Sequence, residues 1–199
     1  MDRYWFFTWR TYGTWLPGEE GSVGPYLTPD GRRVIDNTPG RQTASAMPGL
    51  SRYAQSILTH PPVQLTPPQC GVVENEVLRT CQYRGWKPDA LAVMSDHVHL
   101  LFGVNDDPDP NNMLAELKAY CSRVLNKPQP RPKGWWWSDG GSTRKVKADD
   151  GLANVAEYIR DQPDAVRVWL NDETLWLLAK RDENLNTHGP CGPGSPRYA

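Results

Sequence analysis

Charge of one sign is scarce in this chain: 22 basic residues stand against 23 acidic ones, a net charge of -1 over 199 residues. Such a balance supplies no whole-molecule field for holding nucleic acid, so any such role must come from local clustering. Long apolar runs are missing as well; none approaches the roughly 20 residues needed to cross a bilayer. The opening Met1-Asp2-Arg3-Tyr4-Trp5 has neither the basic nor the apolar region of a secretory signal. Four cysteines, Cys70, Cys81, Cys121 and Cys191, show no Cys-x-x-Cys spacing, which leaves them as reduced thiols. No phosphate-binding glycine loop is found. The expectation is a cytoplasmic protein with no membrane contact, its length suited to one core with extensions.

Tryptophan, by contrast, is plentiful at nine residues, and turn-forming residues are concentrated in one stretch. Tyr4 to Tyr12 is dense in aromatic and β-branched residues and predicts a first, central strand ending near Gly13. From there the chain is rich in Gly, Pro, Ser and Thr, with a turn signal at Pro29-Asp30-Gly31 and a short helical possibility at Leu50 to Leu58. This reads as a long loop insertion at about 17–62. Thr66 caps a helix expected over Pro67 to Arg84, with Val72, Val73, Val77 and Cys81 at helical spacing. Ala90 to Met94 and His97 to Val104 form a hairpin across Ser95-Asp96. A second helix, capped by Asn111 or Asn112, buries Leu114, Leu117, Cys121 and Val124 and stops at Pro128. Strand-like residues surround Gly140-Gly141, a helix from near Asp150 buries Leu152, Val155, Ala156 and Ile159, and Ala165 to Lys180 reads as helical. Residues 181–199 read as a disordered tail after a single domain over 1–180. The order predicts an α+β fold, a ferredoxin-like antiparallel sheet with helices on one face.

Chemistry enters at Met94-Ser95-Asp96-His97-Val98-His99-Leu100-Leu101-Phe102-Gly103-Val104. Side chains alternate on a strand, so His97 and His99 share one face while Val98 points away. Two adjacent neutral imidazoles make half of a metal site. Each buried and unsatisfied would cost about 1 to 3 kcal/mol, so a metal, water or backbone carbonyls must meet them. Two core histidines bonded to carbonyls remain the plainer alternative. Further on, Tyr158 and Gln162 lie one turn apart at the edge of an apolar helix face, with Pro163 disfavouring helical geometry at the glutamine. In isolation that pair also reads as an edge tyrosine beside a solvent-facing amide.

The combination carries more than either part. His97-Val98-His99 on a strand, then Tyr158-Ile159-Arg160-Asp161-Gln162-Pro163 on a helix, resembles the single-tyrosine HUH transposases of small bacterial insertion sequences. It is most similar to the REP-associated tyrosine transposases, as are Trp9-Arg10-Thr11-Tyr12-Gly13-Thr14-Trp15-Leu16-Pro17-Gly18, Leu117-Lys118 and Trp137-Ser138-Asp139-Gly140-Gly141-Ser142. The resemblance spans Tyr4 to Pro163. It implies an HUH nuclease fold, usually dimeric, in a bacterial protein that cuts and rejoins single-stranded DNA beside hairpins through a 5′-phosphotyrosine intermediate. It also implies Tyr158 as nucleophile, with His97, His99 and Gln162 holding Mg2+ or Mn2+. Such an ion, bound by neutral ligands, keeps its charge for polarising a phosphate oxygen.

Local charge suits DNA. From Leu117 to Lys147, eight basic residues (Lys118, Arg123, Lys127, Arg131, Lys133, Arg144, Lys145 and Lys147) face one acid, Asp139. Trp135, Trp136 and Trp137 among them suit base stacking beside a phosphate track. A solvated basic face is the alternative. Other enzymes fit less well. A histidine-triad hydrolase needs a third histidine where Leu101 stands. A rolling-circle replication initiator places lysine three residues after its tyrosine, where Tyr158 has Asp161 and the rival Tyr120 has Arg123. A zinc site with a cysteine lacks supportive spacing. A domesticated hairpin-DNA-binding protein without cleavage is the non-enzymatic alternative.

Overall fold

A computed structural model of the chain describes residues 1, 3–19, 24–27, 33–36, 46–128, 135–147 and 150–187. In chain order the elements begin with β1 (Arg3–Arg10), β2 (Gly24–Leu27), β3 (Arg33–Asp36) and α1 (Pro48–Ser56). They continue with α2 (Pro67–Arg84), β4 (Lys87–Val93), β5 (His97–Val104) and α3 (Pro110–Leu125). Last come β6 (Ser142–Val146), α4 (Asp150–Arg160), β7 (Arg167–Leu170) and α5 (Asp172–Thr187). Two compact units emerge, one built from the chain up to Tyr12 and from Val63 to Thr187, the other from described residues of Gly13–Pro62.

In the first unit five strands form one sheet in the order β6-β1-β5-β4-β7, every neighbouring pair antiparallel. Its first four strands, with α2 and α3 as the connections, make the split β-α-β-β-α-β arrangement expected. Local chemistry explains the elements. The Gln69 side-chain oxygen accepts from the Thr66 N–H at 2.9 Å, and Pro67 needs no amide partner at the start of α2. Gly85 ends that helix at φ 69°, a left-handed position that a Cβ would strain. The cap of α3 is Asp109, whose carboxylate accepts from the Asn111 N–H at 2.9 Å, rather than either of the asparagines that follow it.

All eight residues of β5 are buried, so the sheet is covered on both faces. Trp5, Phe7 and Trp9 of β1 and Val98, Leu100 and Phe102 of β5 pack with Val73, Val77, Leu117 and Cys121 of α2 and α3. The opposite face carries Ala90, Ala92 and Leu101 against Val155, Ala156 and Ile159 of α4 and Leu178 of α5. Helices α2 and α3 thus share one face as expected, and α4 adds cover on the other. The segment read as continuous helix over Ala165 to Lys180 is instead β7 followed by α5. Val168 and Trp169 suit a strand, and the open edge of β4 supplies partners: Val166 N–H donates to Val93 O at 3.0 Å and Asn171 N–H to Asp89 O at 3.1 Å. The Asn171 side chain then starts α5 by accepting from the Thr174 N–H at 2.7 Å.

The second unit holds the antiparallel pair β2 and β3 and the helix α1, which buries Leu50 and Ala54. The span read as a loop insertion therefore contains regular structure, while its Pro29-Asp30-Gly31 turn lies outside the described residues. Of the tail expected at 181–199, residues 181–187 continue α5 and the rest lie outside the described residues.

Candidate active site

On β5 the parity of the strand puts His97 and His99 together on the face that α4 covers. Their rings lie 4.8 Å apart at 80°, and both are buried, at 8% and 3% exposure. Each has its Nδ1 engaged. His97 Nδ1 meets the Asp96 carboxylate at 2.6 Å. A carboxylate only accepts, so a neutral His97 donates from Nδ1 and carries its lone pair on Nε2. His99 Nδ1 meets the Thr8 hydroxyl at 2.8 Å, across a register that sets Thr8 opposite His99. With Nδ1–H donating to Thr8, His99 Nε2 is a lone pair, and that buried atom has no hydrogen-bond partner. Burial, followed by the neighbouring His97, pushes the His99 pKa down to about 3, against the opposing pull of Asp96. The ring is neutral at physiological pH.

Turn chemistry brings Thr8 within reach of β6. Gly141 lies so close to β1 that a Cβ would sit 2.8 Å from the Thr8 carbonyl oxygen and 2.7 Å from Leu114. Only glycine admits that approach.

Tyr158 stands beside the histidines. Its ring is 5.4 Å from that of His99 at 60°, and 6.0 Å from Phe6 at 82°. Phe6 also lies 5.4 Å from His99. Val155, Ala156 and Ile159 seat α4 on the sheet, which leaves Tyr158 at the helix edge, 49% exposed. Gln162 turns back one turn, its amide N–H donating to the Tyr158 carbonyl at 3.0 Å. The structure thus brings His97, His99 and Tyr158 together, with Gln162 one turn beyond. Tyr120 sits on α3, over the other face of the sheet, its ring beneath the Arg123 guanidinium at 4.8 Å.

The donor set suits a divalent ion. Two neighbouring imidazoles are a donor type such an ion takes, and each is oriented through Nδ1 by an oxygen, the outer support that histidine ligands commonly have. The orphaned His99 Nε2 is the clearest sign. Among the described residues no group of three or more His, Cys, Asp or Glu could complete such a site. The amide oxygen of Gln162, one turn from Tyr158, is a further donor of the neutral kind.

A family model described as "Transposase IS200 like" matches residues 71–162, a span that begins in α2 and takes in both histidines, Tyr158 and Gln162. Residues 71–162 are thus similar to the IS200-like transposases. The resemblance read from the sequence is borne out at that level. No curated protein matches the sequence. Among solved structures it is similar to a REP-associated tyrosine transposase bound to a REP hairpin, with 12% identity, 82% of this chain and 75% of that one covered, and a TM-score of 0.47. It is also similar to a protein of Deinococcus radiodurans r1 provisionally assigned as a transposase, with 15% identity, 81% and 92% covered, and a TM-score of 0.40.

The basic residues of the chain divide between the two sheet faces. Arg144 lies on the histidine face, its guanidinium 5.3 Å over Phe6. Lys145 lies on the other, its ammonium 5.7 Å from Trp5 and 3.8 Å from Asp107. Lys118 Nζ donates to Ser138 O at 2.6 Å and to Gly140 O, and burial pushes its pKa down to about 8. Arg123 covers Tyr120, Lys147 is exposed, and Arg131 and Lys133 lie outside the described residues. Trp135 is half-buried. Trp136 is 2% exposed, with its indole donating to Asn126 at 2.8 Å, and Trp137 donates to the Lys118 carbonyl at 3.1 Å. The stacking expected of Trp136 does not suit a ring already packed in the core.

Thr8, Phe6 and Asp96 escaped the sequence reading. Asp96 stood beside His97 in the chain and could have been found from adjacency. Thr8 and Phe6 become neighbours of His99 only through the β1–β5 register.

Proposed function

We propose that this chain is a transposase that cleaves and rejoins single-stranded DNA beside hairpins, with Tyr158 as the nucleophile and His97, His99 and Gln162 as metal ligands. The observation that carries this reading is the Tyr158 ring packed against His99, whose buried Nε2 lacks a partner. The Tyr158 oxygen attacks phosphorus and the 3′ oxygen leaves with a proton, giving a 5′-phosphotyrosine ester. The phenolic proton passes to solvent, which the half-exposed ring permits. A 3′-hydroxyl then attacks that ester and restores a phosphodiester, so no nucleotide cofactor is consumed.

Bound to these residues, Mg2+ or Mn2+ would supply positive charge to a non-bridging phosphate oxygen. The chain's own part is orientation. Asp96 and Thr8 hold the imidazoles through Nδ1, and Phe6 walls the space between His99 and Tyr158. Gln162 has its amide N–H anchored on the Tyr158 carbonyl, which leaves its oxygen for a ligand. A homodimer is the proposed assembly, each copy bringing one such set.

The test uses end-labelled single-stranded hairpin oligonucleotides incubated with the protein and manganese, then resolved on a denaturing gel. A protein-linked label that needs manganese and vanishes in Tyr158→Phe is expected. An adduct surviving in Tyr158→Phe would move the nucleophile elsewhere, and hairpin binding without any adduct would favour a non-cleaving DNA-binding protein.

A further inference from the structure

Arginines of the sheet-bearing unit are mostly ion-paired. Arg3, Arg79, Arg84, Arg160, Arg167 and Arg181 each meet a carboxylate. Arg144 is different: it is exposed, and among the described residues its one contact is the Phe6 ring. The register places it. Arg144 lies opposite Phe6, and Phe6 is two residues from Thr8, the partner of His99. Strand alternation therefore puts Arg144, Phe6, Thr8, His97 and His99 on one face. Phe6 is the hub, touching His99, Tyr158 and the Arg144 guanidinium. An aromatic ring beneath a guanidinium fixes its plane while leaving the N–H edge open to an acceptor.

Resting on the proposed function, we infer that Arg144 is a phosphate-positioning residue of this site, which grips one phosphodiester of the bound strand by its N–H fork. A fork of parallel donors matches two phosphate oxygens; among the described residues Arg144 meets no carboxylate, and Asp96 beside the histidines is committed to His97. Arg10, opposite His97 and four residues along β1 from Phe6, adds a second guanidinium to the face about 13 Å away. The adjacent Lys145 points to the opposite face and has no part in this contact.

The experiment measures binding of hairpin oligonucleotides with single-stranded tails, each carrying one neutral methylphosphonate linkage, in the Tyr158→Phe background with manganese. The parent should lose about 10-fold or more in affinity when the gripped linkage is neutral, as expected for a hydrogen bond to a charged group. Arg144→Ala should lose that sensitivity at this one linkage and keep it at the others, with Arg144→Lys in between. A merely structural role would weaken all linkages alike. An Arg144→Ala profile identical to the parent's would overturn the inference and leave the proposed function standing. If the parent neither binds these oligonucleotides nor, with Tyr158 restored, forms an adduct, the proposed function itself fails and the inference falls with it.

Discussion

The ring of Tyr158 packs edge-on against that of His99 within one chain, 5.4 Å between centres. Nucleophile candidate and metal-ligand candidate thus meet without a second copy.

Adduct formation should therefore need both residues on the same chain. Mixing Tyr158→Phe chains with His99→Ala chains, after exchange in mild denaturant, should give no more labelled protein than either variant alone. Restored labelling in the mixture would mean that a tyrosine serves its partner's histidines.

His99 should cost the metal-free protein stability. Its buried Nε2 lacks a partner, and replacing it by a hydrocarbon of similar volume removes a penalty of about 1 to 3 kcal/mol. In chelator, His99→Leu should unfold at higher urea than the parent. Added manganese should raise the melting temperature of the parent and leave that of His99→Leu unmoved, because only a site that binds gains by linkage. Equal shifts in both would place the ion elsewhere.

Thr8 holds His99 through Nδ1 at 2.8 Å. Thr8→Val keeps the shape and removes the oxygen, so manganese affinity by titration calorimetry should fall roughly 10- to 100-fold. Unchanged affinity would show that the hydroxyl does not orient the ring.

Lys118 gives a pH signature. Burial lowers its pKa from the ordinary 10.5 to about 8. Below pH 8 it is charged in folded and unfolded chains alike, and the full cost of burying that charge is present. Between about 8 and 10.5 the unfolded chain holds more protons than the folded one, so stability rises with pH. Urea midpoints of the parent relative to Lys118→Met should be flat from pH 6 to 7.5 and then climb toward pH 10. A relative decline over that window would contradict the buried charge.

Much of the framework is legible locally. Thr66 and Pro67 announce α2, and the alternation of His97, Val98 and His99 puts both imidazoles on one face whichever strands lie beside them. Val155, Ala156 and Ile159 mark the buried face of α4 and so the edge position of Tyr158. Local pattern fails where a tertiary neighbour decides the outcome. Arg167 to Leu170 is a strand because β4 had an open edge to pair, and its four residues are too few for periodicity to distinguish from helix. Trp136 has the chemistry for stacking on bases, but Asn126 and the core engage it.

Sequence alone determined parity, the start of α2 and the chemical kind of each side chain, since these depend on residues within one turn or one strand. Tertiary structure decided who meets whom. Thr8 lies 91 residues from His99 in the chain, and Arg144 reaches Phe6 only through the β1–β6 register. A shift of one residue in either pairing would turn those side chains to the opposite face, and register is set by the packing of both sheet faces together, which no local pattern contains.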